Sequence, residues 1–163
     1  MTTDKNLTSS RQSTDADICK CSDMPPIVLQ STLTNNPIAC ADCNLEVSPS
    51  RLHLSDKLTS EILMWQNKFD SFYKLWLDSG DQEKYAFEQL SRPDSEVNKI
   101  GLTVNRNINQ THECYYWWFI DNCDENSLKL QSCPNCSADL TPRPNKFKAD
   151  TRICRQCKII VAD

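Results

Sequence analysis

Between Leu58 and Trp76 the large apolar residues fall at Leu58, Ile62, Trp65, Phe69, Phe72 and Trp76. The steps alternate four, three, four, three and four, the repeat of a single α-helical face. Leu63, Tyr73, Leu75 and Leu77 widen the stripe. Leu54-Ser55-Asp56 supplies a cap at its start and Gly80 a stop at its end. An aromatic stripe at this spacing is a packing surface before it is a ligand groove. Asp81 can cap a second, shorter helix running to Leu90, and Pro93-Asp94-Ser95 ends that helix and opens a third. The inward face of the third is Val97, Ile100, Val104 and Ile108, with Gly101 beside it to permit a close approach.

The remaining apolar runs are short and favour strands. Ile27-Val28-Leu29 follows Pro25-Pro26, and Asn35-Asn36-Pro37 marks a turn. Cys114-Tyr-Tyr-Trp-Trp-Phe119 is aromatic and reads as a strand. Alternation along it buries either Tyr115, Trp117 and Phe119, or Tyr116 and Trp118. These elements predict an α+β fold with a helical middle, one long amphipathic helix, short antiparallel strands and terminal hairpins. Residues 1–17 are almost entirely polar and predict a disordered tail. Residues 18–128 then form a helical body and residues 129–163 a ribbon packed on it. Asp121 to Asn126 reads as a polar loop between them. The longest uninterrupted apolar run, Tyr115 to Ile120, has six residues, far short of a membrane span.

Charge changes this picture at one end. Residues 1–128 hold eleven Lys and Arg against nineteen Asp and Glu, a net of −8, whereas residues 129–163 hold seven against three, a net of +4. The body repels nucleic acid and the terminal segment can attract it. Arg143, Lys146, Lys148, Arg152, Arg155 and Lys158 are the candidate contacts, with Phe147 among them as a candidate stacking ring.

Ten cysteines in 163 residues carry the clearest chemistry. A disulfide framework would call for a secretory leader, and residues 1–17 contain no apolar core of that kind. The spacing favours metal in a reducing, cytoplasmic compartment. Cys133-Pro-Asn-Cys136 and Cys154-Arg-Gln-Cys157 are separated by seventeen residues. A two-residue gap turns both sulfurs of a clip toward one ion, and the long gap is a hairpin that brings the second clip to the first. Eighteen residues separate Cys21 from Cys40, so Cys19-Lys-Cys21 with Cys40-Ala-Asp-Cys43 reads as a second site with one shortened clip. Two zinc ions are therefore expected. The simpler alternative at the first site is a Cys40/Cys43 pair completed by another ligand, Cys123 included, or left as thiols. Cys114 and Cys123 otherwise read as buried thiols, and His53 as a surface or capping residue. Such clips ordinarily carry Gly just after the second Cys, where the backbone needs φ > 0. Here Asn44, Ser137 and Lys158 stand there.

Several segments together resemble a known family. They are Asn36-Pro-Ile-Ala-Cys-Ala-Asp-Cys43, Met64-Trp65-Gln66, Leu75-Trp-Leu-Asp-Ser-Gly80, Cys114-Tyr-Tyr-Trp-Trp118 and Cys133-Pro-Asn-Cys136. In this order, over residues 19–163, the chain resembles an uncharacterised bacterial family of Zn-ribbon-containing proteins for which nucleic-acid binding has been suggested. The resemblance implies metal ligation by Cys40, Cys43, Cys133, Cys136, Cys154 and Cys157, and supports Cys19 and Cys21.

Catalytic motifs are missing. His53 and His112 are the two histidines, and His112-Glu113 lacks the second His of a His-Glu-x-x-His zincin as well as the order of a zinc deaminase. Four thiolates leave no open position on a zinc ion. Gly80 and Gly101 alone cannot build a phosphate-cradling loop. The expected function is that of a non-enzymatic zinc-binding module that engages an unidentified protein partner in an adaptor, regulatory or immunity-like role. The alternative is an RNA- or DNA-binding protein that uses the basic terminal segment.

Overall fold

The computed structural model describes residues 13–31, 34–121, 129–143 and 151–162. Most of the tail, the loop containing Cys123, and the segment with Lys146, Phe147 and Lys148 lie outside the described residues. The fold is α+β. In chain order it runs β1 (Ile27–Leu29), β2 (Ile38–Cys40), α1 (Asp56–Asp78), α2 (Glu83–Ser91), α3 (Glu96–Ile108), β3 (Cys114–Trp117), β4 (Thr141–Pro142), β5 (Thr151–Cys154) and β6 (Ile159–Ala162). No helix among the described residues is long and apolar enough to cross a membrane.

All six strands form one sheet in the order β2-β1-β3-β6-β5-β4. The antiparallel pairings join β1 to β2 and β4, β5 and β6 to one another. β3 lies between these two groups and runs parallel to both neighbours, pairing Ile27 with Cys114 on one side and Tyr116 with Ile159 on the other. The parallel joins have a physical counterpart in the residues. A strand buried on both faces reads as a continuous apolar run rather than an alternation. Ile27, Leu29, Cys114, Tyr116, Ile159 and Val161 face the helical core, while Val28, Tyr115, Ile160 and Ile153 form a smaller cluster on the opposite face. Tyr116 and Trp118 are thus the pair turned toward the helices, and Tyr115 is buried as well. Phe119, just past the strand, meets Tyr73, Trp76 and Phe87 edge-on.

The helices begin where their caps place them. Ser55 and Ser95 accept hydrogen bonds from the backbone N–H of Leu58 and Asn98, both at 3.2 Å. The second helix departs from expectation. It starts at Glu83, and Ser79 rather than Asp81 accepts the N–H of Gln82, at 3.2 Å. The turn at Gly80, with φ +62°, carries the chain back so that the residue closing α1 also supports the start of α2. Ile62, Trp65 and Phe69 are the buried apolar part of the long stripe.

α3 is held to the sheet by a buried polar chain. The Tyr116 hydroxyl donates to Asn98 Oδ1 at 2.8 Å and accepts from Trp65 Nε1 at 3.3 Å. Asn98 Nδ2 donates to the carbonyls of Leu90 and Arg92, at 2.9 and 2.8 Å, which satisfies the end of α2. Gly101 is what lets the ring of Tyr116 lie on α3. A Cβ there would come within 2.5 Å of Tyr116 Cε2 and 2.6 Å of Trp65 Nε1. The close contact that this glycine permits is therefore with a strand tyrosine as well as with α1.

Candidate metal centres

The two antiparallel groups each end in a cysteine cluster. Cys40 is the last residue of β2 and Cys154 the last of β5, so the sheet itself presents one sulfur to each cluster. The tight turns that follow bring back a second sulfur. After Cys40, the N–H groups of Asp42 and Cys43 point to its Sγ at 3.4 and 3.3 Å, and Asn44 N–H donates to the Cys40 carbonyl at 2.8 Å. After Cys133, Ser137 N–H makes the same bond to the Cys133 carbonyl at 2.8 Å, and Cys157 N–H points to Cys154 Sγ at 3.4 Å. Asn44, Ser137 and Lys158 adopt φ of 56°, 62° and 52°. Three of the four clips therefore impose the left-handed conformation on residues other than glycine, at the positions where glycine is customary. The short clip Cys19-Lys20-Cys21 has no such residue after it.

In each cluster all four sulfurs lie within 4.8 Å of one another: Cys19, Cys21, Cys40 and Cys43 in one, Cys133, Cys136, Cys154 and Cys157 in the other. A tetrahedral zinc site with Zn–S bonds of about 2.3 Å has sulfurs about 3.8 Å apart. The Cys136–Cys154 separation of 3.6 Å matches one edge of that tetrahedron. The donor set is soft and fully sulfur, which suits zinc, and all eight cysteines are free thiols rather than disulfides. Both quartets are thus built to hold a metal ion.

The electrostatics within each quartet are uneven. Burial pushes the thiols of Cys40 and Cys133 up, and those of Cys43 and Cys157 in the same direction. The Ala138 N–H and the Cys157 side chain hold Cys136 down at about 7. At Cys19 burial acts upward, but the Cys21 N–H and the neighbouring sulfurs outweigh it and the thiol is lowered. In each quartet, then, one thiol is lowered, Cys19 or Cys136, and two are raised, and the raised ones must give up protons as an ion binds.

Two arginines support the first quartet. Arg51 donates to the carbonyls of Cys19 and Cys21, at 3.2 and 2.9 Å, and so pins the short clip. Arg143, just past β4, donates to the Ala41 carbonyl at 2.9 Å and pairs with Asp42 at 2.8 Å, inside the other clip of the same quartet. Its guanidinium also lies 6.0 Å from the centre of the Tyr115 ring. Neither role was visible in the sequence, because 32 and 102 residues separate the partners.

The other basic residues singled out above are placed as follows. Arg152 donates to the Leu130 carbonyl and to Gln131 Oε1, at 3.2 and 2.8 Å. Lys158 pairs with Glu113 at 2.9 Å and sits over Tyr115. Arg155 is exposed at the tip of the second quartet. Lys146 and Lys148 lie outside the described residues. Cys114 belongs to neither quartet and is fully buried under the helices, its thiol pushed up by that burial.

A family model described as "Domain of unknown function (DUF2310)" matches residues 26–120. That span begins at β1, takes in the three helices and ends just past β3. It includes Cys40 and Cys43 and stops before the second quartet. No curated protein and no solved structure matches the chain.

Proposed function

Since the chain belongs to the DUF2310 family, whose domains are uncharacterised, we propose a role from its own geometry: a non-enzymatic protein-interaction module whose two four-cysteine centres hold structural zinc. The observation that carries this reading is the placement of the quartets. Each closes one end of a single sheet, and four thiolates leave an ion no open position for a substrate. Zinc bound this way adds its binding free energy to folding and supplies no reacting group. Eight free thiols clustered in two quartets suit a reducing, cytoplasmic compartment.

The competing reading, RNA or DNA binding, draws its support from the net charge of +4 over residues 129–163. Against it, Arg143, Arg152 and Lys158 are engaged with the protein's own carboxylates and carbonyls. Contacts already made internally must be broken before they can serve a phosphate, and the body around them is acidic. Interaction with a protein is therefore the better reading.

Native mass spectrometry together with capture from the source cells tests it. Two zinc ions per chain and a partner retained at moderate salt are expected. One ion or none, or tight salt-dependent binding of single- or double-stranded nucleic acid without a protein partner, would overturn it.

A further inference from the structure

Beside the second quartet the surface opens into a groove of about 1080 Å³. One wall is α3 with the loop leading to β3, and the other is the turn that carries Cys157. The charges along it are not balanced. Asp94 is committed to Arg92 at 2.7 Å, and Glu113 to Lys158 at 2.9 Å. Lys99 and Arg106 line the same groove and form no ion pair among the described residues; Arg106 donates to Thr103 Oγ1, at 3.0 Å. At its base Asn105 donates Nδ2 to the Lys158 carbonyl at 3.2 Å, while its buried Oδ1 has no partner.

We propose that this groove takes an extended acidic segment of a partner protein, with Lys99 and Arg106 receiving its carboxylates. The inference rests on the interaction reading above and gives the partner a chemistry. Lys99 and Arg106 are seven residues apart on one helix, two turns or about 10 Å. An extended peptide rises about 3.4 Å per residue, so carboxylates two to four residues apart reach both cations. A guanidinium grips a carboxylate through two parallel hydrogen bonds. Gln110 and Gln156, which also line the groove, carry amides able to pair with a peptide backbone. A nucleic acid fits less well. No Phe, Tyr or Trp lines the groove to stack a base, and two cations outside any ion pair are few for a polyanion.

The test uses the zinc-loaded full chain and an eight-residue peptide of alternating Glu and Ala, with a Gln-for-Glu version as control. Nuclear magnetic resonance shifts should cluster along α3 and the turn around Lys158. The Lys99→Glu/Arg106→Glu variant should bind the acidic peptide at least about tenfold more weakly, and Arg155→Glu, outside the groove, should bind it as the wild type does. Equal binding of the Gln peptide, absence of binding, an unchanged double variant, or tighter binding of a uridine octamer would each overturn the proposal. Capture from cells separates it from the reading beneath it. If the double variant still retains the wild type's partner, the groove is wrong and the interaction role stands; if the wild type retains none, both fall.

Discussion

Gly101→Ala sets two known effects against each other. In an ordinary helix interior the change stabilises by about 0.5–1 kcal/mol, because glycine loses more backbone freedom on folding. At this position the new Cβ would sit 2.5 Å from Tyr116 Cε2, 2.6 Å from Tyr116 Cζ and 2.6 Å from Trp65 Nε1. Comfortable carbon contacts lie near 3.5–4.0 Å, so the rings must retreat by about 1 Å. Neither can do so freely. Tyr116 and Trp65 are 0% and 1% exposed, they are hydrogen-bonded to each other, and Tyr116 is also bonded to Asn98. Overpacking of this kind costs about 1–3 kcal/mol, and loss of the buried Tyr116–Asn98 bond adds about 1–3 kcal/mol. Set against the helix gain, the expected net loss is about 1–5 kcal/mol. For a chain of this size that lowers the melting temperature by roughly 2–20 °C. The assay is thermal and urea unfolding at saturating zinc, followed by tryptophan fluorescence. Gly80→Ala is the control: φ is +62° and nothing lies within 4 Å, so left-handed strain of about 1–2 kcal/mol, partly offset by the freedom removed from the unfolded chain, is the whole effect. A Gly101→Ala protein as stable as the wild type would refute the argument that the Tyr116 ring is seated on the bare backbone of α3.

Four further outcomes are expected. Zinc removal, or Cys133→Ser, should abolish cooperative melting of the sheet edge formed by β4 and β5; an unchanged melt of the metal-free protein would deny the quartets a structural role. Ser137→Gly should raise stability by up to about 1 kcal/mol, since relief of the left-handed strain exceeds the extra freedom of glycine in the unfolded chain; denaturant midpoints report it, and a loss would contradict the strain. Arg143→Ala should speed chelator extraction of the first zinc about tenfold, although Arg143 lies beyond β4; equal release of both ions would sever the link. The Lys158 ammonium holds the Glu113 carboxyl below its usual range; burial opposes it less strongly, and the Tyr115 hydroxyl adds to the lowering. Its contribution is therefore present above the ordinary carboxylate range and is lost as pH falls through the lowered value. Glu113→Gln should cost well under 1 kcal/mol at pH 7, because the pair is half exposed, and the difference should fade as acid takes the pH below the lowered carboxylate range.

The features readable from the residues are those whose cause is local. The stripe from Leu58 to Trp76 fixed α1 because three-four spacing has one geometric meaning, and Ser55 and Ser95 marked helix starts because a hydroxyl can reach an N–H three residues on. The α+β class and the two sulfur quartets followed from spacing in the same way. Asn44, Ser137 and Lys158 were recognisable as strained positions from where glycine was missing. What escaped depends on distant partners. β2 and β6 were not separated from their surroundings, since each is a short apolar run whose identity comes from the strand beside it. The parallel join of β1 to β3 spans the three helices and that of β3 to β6 spans β4 and β5, so no single stretch encodes either. Arg143, one of the candidate nucleic-acid contacts, also clamps a turn 102 residues earlier.

The position of β3 has a consequence for how the chain is made. β1 pairs with a strand 87 residues later, from Ile27 to Cys114, and β3 in turn pairs with one 43 residues beyond it, from Tyr116 to Ile159. At synthesis rates of about 5–20 residues per second, the first hairpin leaves the ribosome several seconds before its neighbour exists. Through that interval Ile27, Val28 and Leu29 present an unpaired apolar edge, the kind of edge that recruits other chains. The first quartet is complete by Cys43 and can close around an ion within that window. The ion would then hold the first hairpin in shape while that edge waits for β3 to cover it.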